Sequence, residues 1–464
     1  MASMTKTKEN SHSTDMTVGS PTKHLLIFAL PVFIGFMFQQ FYNTIDSLVV
    51  GNYVGANALA AIGSCGSINF LFFSLSSGLS VGIGIIVSHY FGAKDDNGVH
   101  QTISNAFYVL AIASVSTTIL GLVVAHPLLV IMDTPAEILP DAVLYLRTTC
   151  CGIIFIAMYN GIANILRAFG DSKTPLYFLI LSSLTNIALD LLFVLNFGMG
   201  VFGVALATVI SQAISAIVST TYAFLKVPYF KFTKEELLPN KTIIIRSFKL
   251  GVPMALQSSM IAISMMVLQG VINKFGPTVM AANTISAKVD LIISQFYGAI
   301  SQALVTYSGQ NIGANKLDRV KKGYTRGMLL VEAYNLIIIP LIFIFSRQIV
   351  DFFVTDASVI EYGQTALRIT AVMYLSLGAI YVPRGILNGC GDARFSLING
   401  LTEVACRIVY ANLLTRIAAI GVWGIWCASG LTWFTVALVC SGRFFMGKWK
   451  TMAIAKSTLS PQED

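Results

Sequence analysis

Apolar residues run along this chain in long, nearly unbroken stretches, not in the narrow alternating stripes of a water-soluble fold. A helix needs about 20 mainly apolar residues to cross a bilayer. By that measure twelve spans are predicted, near 24–49, 57–88, 102–124, 142–165, 175–195, 201–225, 248–272, 281–307, 327–345, 365–386, 396–415 and 421–445. All are expected to be helical, because lipid offers no partner to an open strand edge. Polar residues inside these spans are expensive to place, so they are where function is expected.

Composition agrees. Of 464 residues, 55% are hydrophobic and 11% charged, against ~25% charged in soluble domains. The first twenty residues are polar, and the apolar segment after them lacks a small-residue cleavage site, so it reads as a retained helix. With the N-terminus in the cytoplasm, 22 of the 30 Lys and Arg fall in inside tails and loops, Arg167 among them. Three fall outside (Lys274, Arg347, Arg416) and five within spans (Arg147, Lys288, Arg368, Arg384, Arg407). That asymmetry predicts a multi-pass protein with both termini cytoplasmic. The one N-x-[ST] sequon, Asn240-Lys241-Thr242, lies on the inside, which fits a bacterial inner (plasma) membrane. The basic residues are scattered over loops, which argues against nucleic-acid binding. No GxxxxGK[ST] motif provides an ATP motor, and no C-x-x-C or HExxH motif is present. The seven cysteines lie in or beside apolar runs and read as buried small hydrophobes. No cofactor, no enzymatic activity and a monomeric state are expected.

The chain repeats itself. Residues 146–176 align with 367–397 at an offset of 221, which also pairs Gly55 with Gly276, Gly92-Ala93 with Gly313-Ala314, and Gly200 with Gly421. Six helices per half is an even number, so the pseudo-axis runs along the membrane normal, as in rocking secondary transporters. The expected organisation is a tail (1–22), an N-lobe (23–225), a linker (226–247), a C-lobe (248–447) and a second tail (448–464). The fold class is all-α: a polytopic membrane protein with two pseudo-symmetric six-helix bundles.

Five acids lie within spans: Asp46, Asp190, Asp290, Glu332 and Glu403. Asn186 and Asp190 are four apart on one helix face, as are Thr208 and Gln212. Gln39, Asn43 and Asp46 form a polar stripe with Tyr42 one turn before Asp46. No basic residue lies inside these three helices, so Asp46 and Asp190 lack an evident ion-pair partner. Two carboxylates in a dry pocket repel, which favours a bound proton; the nearby amide and hydroxyl could instead complete an oxygen shell for Na⁺. The second half differs: Asn186 maps to Arg407 and Asp190 to Ala411. Glu403 and Arg407 have the spacing of a helical ion pair. Lys288 or Asp290 is expected to face the C-lobe cavity, and Glu332, placed near a helix end, to be solvated or capping. Pro31 and Pro253, at matching places in the two halves, are candidate bending points.

These residues carry a resemblance. "LPVFIGFMFQQFYNTIDSLVVGNYVGANALAA", "ILRAFGDSKTPL", "SLTNIALDLLFV", "GVFGVALATVISQ" and "SGQNIGANKLDRV" resemble the multidrug and toxic compound extrusion (MATE) family, in its DinF/MepA-like bacterial branch. The resemblance implies a V-shaped pair of lobes exporting small, often cationic and lipophilic molecules across the bilayer by antiport against H⁺ or Na⁺. It implies a cation-coupling site at Asp46, Asn186, Asp190 and Thr208, the same four positions that would ligate Na⁺. H⁺ is favoured over Na⁺. A flippase for lipid-linked precursors, or a narrow-substrate metabolite exporter of the same superfamily, is the alternative.

Overall fold

The computed structural model describes residues 13–454; positions 1–12 and 455–464 of the two expected tails lie outside the described residues. Thirteen α-helices follow one another: α1 (Pro21–Val49), α2 (Ala56–Gly92), α3 (Asp96–Ile131), α4 (Leu139–Cys151), α5 (Ile153–Ala168), α6 (Lys173–Leu191), α7 (Gly200–Lys226), α8 (Lys241–Ile272), α9 (Pro277–Gly313), α10 (Leu317–Asp351), α11 (Ala357–Gly389), α12 (Ala393–Leu414) and α13 (Gly424–Phe445). Among the described residues, nine helices, or ten counting α4 and α5 as one bent span, are long and apolar enough to cross a membrane alone. The others, α9 and α12, carry polar residues that neighbours enclose. α9 packs on α1, α2, α10 and α11, and α12 packs on α8 and α13.

One expected span is broken. The stretch 142–165 is not a single rod: α4 and α5 meet at Gly152 with a 43° bend. A Cβ at Gly152 would lie 2.9 Å from Val209 Cγ2, so close packing of α7 requires glycine at the break. The matching position in the second half is Met373, and α11 runs through it without interruption. Both expected bending points, Pro31 and Pro253, sit inside continuous helices, α1 and α8. Glu332 is likewise not near a helix end; it lies in the middle of α10 and accepts a hydrogen bond from Asn335 Nδ2 at 2.9 Å.

The duplication is written in the backbone. Left-handed φ values recur at the 221-residue offset: Gly55 and Gly276, Lys94 and Asn315, Gly170 and Gly391, Gly200 and Gly421. α2 and α9 begin and end at that same offset. All seven cysteines are free thiols; Cys65, Cys150, Cys390 and Cys440 are buried as expected, whereas Cys151 is exposed.

The two halves meet at one end, the end that carries both described termini. Gly78 and Gly82 of α2 lie against Ala255 and Gly251 of α8, and Ser74 hydrogen-bonds Ser259 at 2.9 Å. Further along, backbones almost touch: a Cβ at Gly92 would lie 2.0 Å from Gln310 O, and one at Gly313 would lie 2.0 Å from His89 O. The buried His89 accepts from Ile454 N through Nδ1 (3.2 Å), so its Nε2 carries the hydrogen and donates to Gly389 O (2.7 Å). Residues 14–19 form a strap across this seam. Thr14 N donates to Phe169 O (2.8 Å), Met16 N donates to Gln310 Oε1 (2.8 Å), and Arg319 Nη2 donates to Met16 O (2.9 Å). Met16 is fully buried. We call this the tail end and the opposite one the far end.

Candidate functional site

The first half encloses a cavity of about 610 Å³ lined by residues of α1, α2, α5, α6 and α7, with Gln302 of α9 closing it from the second half. Gln39, Tyr42, Asn43, Thr208 and Gln212 all line it, as does Pro31. Asp46 continues the α1 stripe one turn beyond Asn43, toward the far end. Asn186 and Asp190 occupy the corresponding reach of α6. Two hydrogen bonds, Ser182 Oγ to Ser211 O (3.2 Å) and Ser215 Oγ to Phe178 O (3.3 Å), fix the antiparallel register of α6 and α7. That register places Thr208 level with Asn186. The Thr208 hydroxyl itself donates to Val204 O at 3.1 Å, within its own helix.

α1 packs on α6, and Asp46 and Asp190 lie near enough for each carboxyl to act on the other. Asp190 is fully buried and Asn186 nearly so. Asp46 Oδ1, both oxygens of Asp190, and both Nδ2 and Oδ1 of Asn186 have no hydrogen-bond partner within the protein. Buried polar groups are almost always paired, and leaving one unsatisfied costs about 1–3 kcal/mol, more for a charge. Five such atoms together describe a site built for something that comes and goes. Its oxygens suit a proton shared between the carboxyls or a hard cation.

Two features escape a reading of the sequence. Residues 50–54 and 192–196 form single π-helical turns directly after the two acids, closed by Gly55 N to Val50 O (3.0 Å) and Phe197 N to Leu192 O (3.2 Å). Such turns in α-helices are frequent at functional sites. Tyr145 of α4 is buried in one cluster with Val49, Val50 and Val194, beside the stretches of chain that carry the two acids. Its counterpart at the repeat offset is Ala366, so the duplication gives no hint of it.

The second half has a cavity of about 360 Å³ with a different character. Asp290 lines it and accepts a hydrogen bond from Tyr374 Oη at 2.5 Å. Glu403 lies between two arginines, 3.3 Å from Arg384 Nη2 and 3.5 Å from Arg407 Nη2. Arg407 also donates to Ser264 Oγ (2.6 Å) and Ser429 Oγ (3.1 Å). Lys288 does not join this cavity: it is exposed, with its ammonium 5.7 Å from the ring centroid of Phe353. Residues two apart on a helix point in divergent directions, and here it is Asp290 that faces inward.

Comparison with known proteins fits this geometry. The MatE family model matches twice, over residues 31–192 and 253–413, one match in each half of the duplication. "Probable multidrug resistance protein YpnP" of Bacillus subtilis is 30% identical over 95% of this chain and 98% of its own length. "Multidrug export protein MepA" of Staphylococcus aureus is 22% identical over 87% of this chain and 89% of its own. Among solved structures, an outward-facing conformation of a multidrug resistance MATE family transporter superposes with a TM-score of 0.89 at 23% identity. It covers 96% of this chain and 100% of that one. With a duplicated helical fold, membrane-spanning apolar helices and both halves matching the family, this chain belongs to the MatE family of multi-pass membrane transporters.

Proposed function

We propose that the protein exports small, mainly cationic and lipophilic molecules by antiport against H⁺, alternating access between the two faces of a bacterial plasma membrane. The observation that carries this reading is the cluster of half-buried Asp46 with buried Asn186 and Asp190, their enclosed polar atoms unpartnered, beside a cavity large enough for a small organic molecule. The names of the relatives YpnP and MepA support the substrate class. The excess of Lys and Arg on tail-end loops supports a cytoplasmic tail end. Close backbone packing there supports an outward-facing state, with the cavity open toward the far end.

From that state, a proton entering from outside is shared between Asp46 and Asp190 and removes their mutual repulsion. The two π-helical turns let the ends of α1 and α6 repack as the acids draw together. A cationic substrate held by the charged cavity is then released outward. The deprotonated pair accepts the next substrate after the lobes rock. Proton and substrate must weaken each other's binding by the same factor. Exchange of one H⁺ for a monovalent cation moves no net charge, so the pH difference drives it: each pH unit provides about 1.4 kcal/mol, enough for a substrate gradient of roughly tenfold. H⁺ is favoured over Na⁺ because the two carboxyls are near enough to act on each other and to share one proton.

The test uses purified protein in sealed vesicles with a fluorescent lipophilic cation. A pH gradient alone, and not a Na⁺ gradient alone, is expected to drive uphill movement. Asp46→Asn and Asp190→Asn should each abolish it while leaving folded protein in the membrane. Normal uphill transport in both variants would remove the coupling site from the mechanism.

A further inference from the structure

Arg167 belongs by sequence with the tail-end loop charges, yet it lies on α5 and lines the cavity of the first half. Its Nε is buried with no hydrogen-bond partner, and none of its side-chain nitrogens makes an ion pair or hydrogen bond among the described residues. The nearest candidate acid in sequence, Asp171, makes no ion pair with it: its Oδ1 accepts from Lys173 N and Thr174 N, both at 3.0 Å, capping α6, and its Oδ2 is buried without a partner. Tyr159, beside it in the cavity wall, is a neutral hydroxyl that donates to Pro175 O at 3.2 Å and offers no compensating charge. A guanidinium in this setting is anomalous. The residue is half-buried, with Nε enclosed and the rest of the guanidinium reaching the cavity, and an enclosed donor without a partner costs about 1–3 kcal/mol.

The position is also specific to one lobe. At the repeat offset Arg167 corresponds to Asn388, whose side-chain oxygen accepts a hydrogen bond from Ser396 Oγ at 2.6 Å. The second half makes the same turn after the helix without a cation, so the turn does not require one. Arg167 lies beside Ser172 and Pro175 in the cavity wall, at the tail end of α6. Asp190 is fifteen residues further along that helix, roughly 22 Å at 1.5 Å per residue. The guanidinium therefore stands at the tail end of the cavity, while Asp46, Asn186 and Asp190 lie outside its lining, toward the far end.

Resting on the export reading above, we propose that Arg167 is an anion-recognition point in the cavity wall, one that favours cargo bearing a carboxylate over the same molecule without it. A guanidinium presents two parallel N–H donors that match a carboxylate. The carboxylate seats on Arg167 and the rest of the molecule lies in the 610 Å³ cavity, along the polar side chains of Asn164, Asn160, Gln39 and Asn43.

The experiment uses full-length protein in detergent with rhodamine B, which has a free carboxylate, and its ethyl ester, which does not. Affinities are read by fluorescence anisotropy. Wild type is expected to bind both. Arg167→Gln should lower the affinity ratio of acid to ester at least tenfold, and Arg167→Lys should restore part of it. In ligand-free protein, Arg167→Met should leave the Tm unchanged or raise it, since it removes an uncompensated cation. An unchanged ratio, or a Tm that falls in Arg167→Met because the guanidinium is held by the fold, overturns the proposal. Wild type that binds the ester and not the acid overturns it while leaving export standing; wild type that binds neither overturns both.

Discussion

Gly313→Ala is a direct test of the tail-end seam. The added Cβ would lie 2.0 Å from His89 O, 2.8 Å from its carbonyl carbon and 2.9 Å from its Cα. Ordinary contact begins near 3.4 Å, so the backbones of α2 and α9 must separate by about an ångström or the end of α9 must distort. Overpacking of this kind costs about 1–3 kcal/mol. The gain in helix propensity from Gly to Ala, about 1 kcal/mol, applies with the lobes together or apart and drops out of the equilibrium between them. The overlap applies only when they are together. A closed population of about 99% would fall to between about 95% and 40%. Spin labels at Asn97→Cys and Lys322→Cys, in protein lacking its native cysteines, report the distance across the seam. Gly313→Ala should add a longer-distance population; Gly92→Ala, which meets Gln310 O at 2.0 Å, should do the same. Gly63→Ala is the control, since a Cβ there meets nothing within 4 Å. If Gly313→Ala and Gly63→Ala give the same distance distribution, the seam is not a gate held by backbone contact.

Two further outcomes follow from charged and titrating groups. Glu403→Gln leaves Arg384 and Arg407 close together in the second half without their shared acid. It should destabilise the folded protein by about 3–5 kcal/mol, seen as a loss of monodisperse protein on size-exclusion chromatography after mild heating; unchanged thermal behaviour would show that water already screens the cluster. Tyr229, in the segment joining α7 to α8, donates to Asp96 Oδ1 at 2.9 Å, and burial followed by that acid pushes its hydroxyl up to about 12. The folded state therefore keeps a proton that the unfolded chain releases near pH 10, so this contribution is complete below pH 10 and is lost as pH rises toward 12. Tyr229→Phe should flatten the decline in Tm over that interval, and an unaltered slope would assign the decline to other groups.

Much of the architecture can be read from the chain because bilayer physics is simple. Length and apolarity alone locate the rods, and the 221-residue offset aligns Gly170 with Gly391, which the backbone holds at matching left-handed φ values. The grouping of Asp46 with Asp190 follows from polar stripes on helices that have no basic residue to neutralise them. The misreadings share a cause: hydropathy reports how apolar a segment is, not where its backbone breaks or which way a side chain turns. The bend at Gly152 arises from packing against Val209 of another helix. Glu332 seemed terminal only because α10 extends well past its apolar run, from Leu317 to Asp351. Arg167 was grouped with loop charges because it lies at the margin of an apolar stretch, and its direction into the cavity is a tertiary fact. The strap at residues 14–19 reads as an ordinary polar tail; its fixed path depends on partners such as Gln310 and Arg319, about 300 positions away.

The two halves share a backbone and have parted in chemistry, and the pattern of that divergence has a mechanical consequence. Where the first half has Asn186 and Asp190, the second has Arg407 and Ala411. One exchange removes an acid and the other supplies a base that lies 3.5 Å from Glu403. Asp290 is engaged by Tyr374 and Glu403 by two arginines, so the charges of this cavity are balanced within the lobe. Such a cluster gains little from binding or losing an ion and has small reason to change shape when one arrives. The first half is the opposite case: its acids, its amide and Arg167 all lie in or beside one cavity with polar atoms left unpaired. Conformational equilibria shift only as far as a ligand distinguishes the two states. An asymmetric pair of lobes can therefore rock with one partner responding to ion and cargo while the other, internally neutral, serves as the surface it moves against.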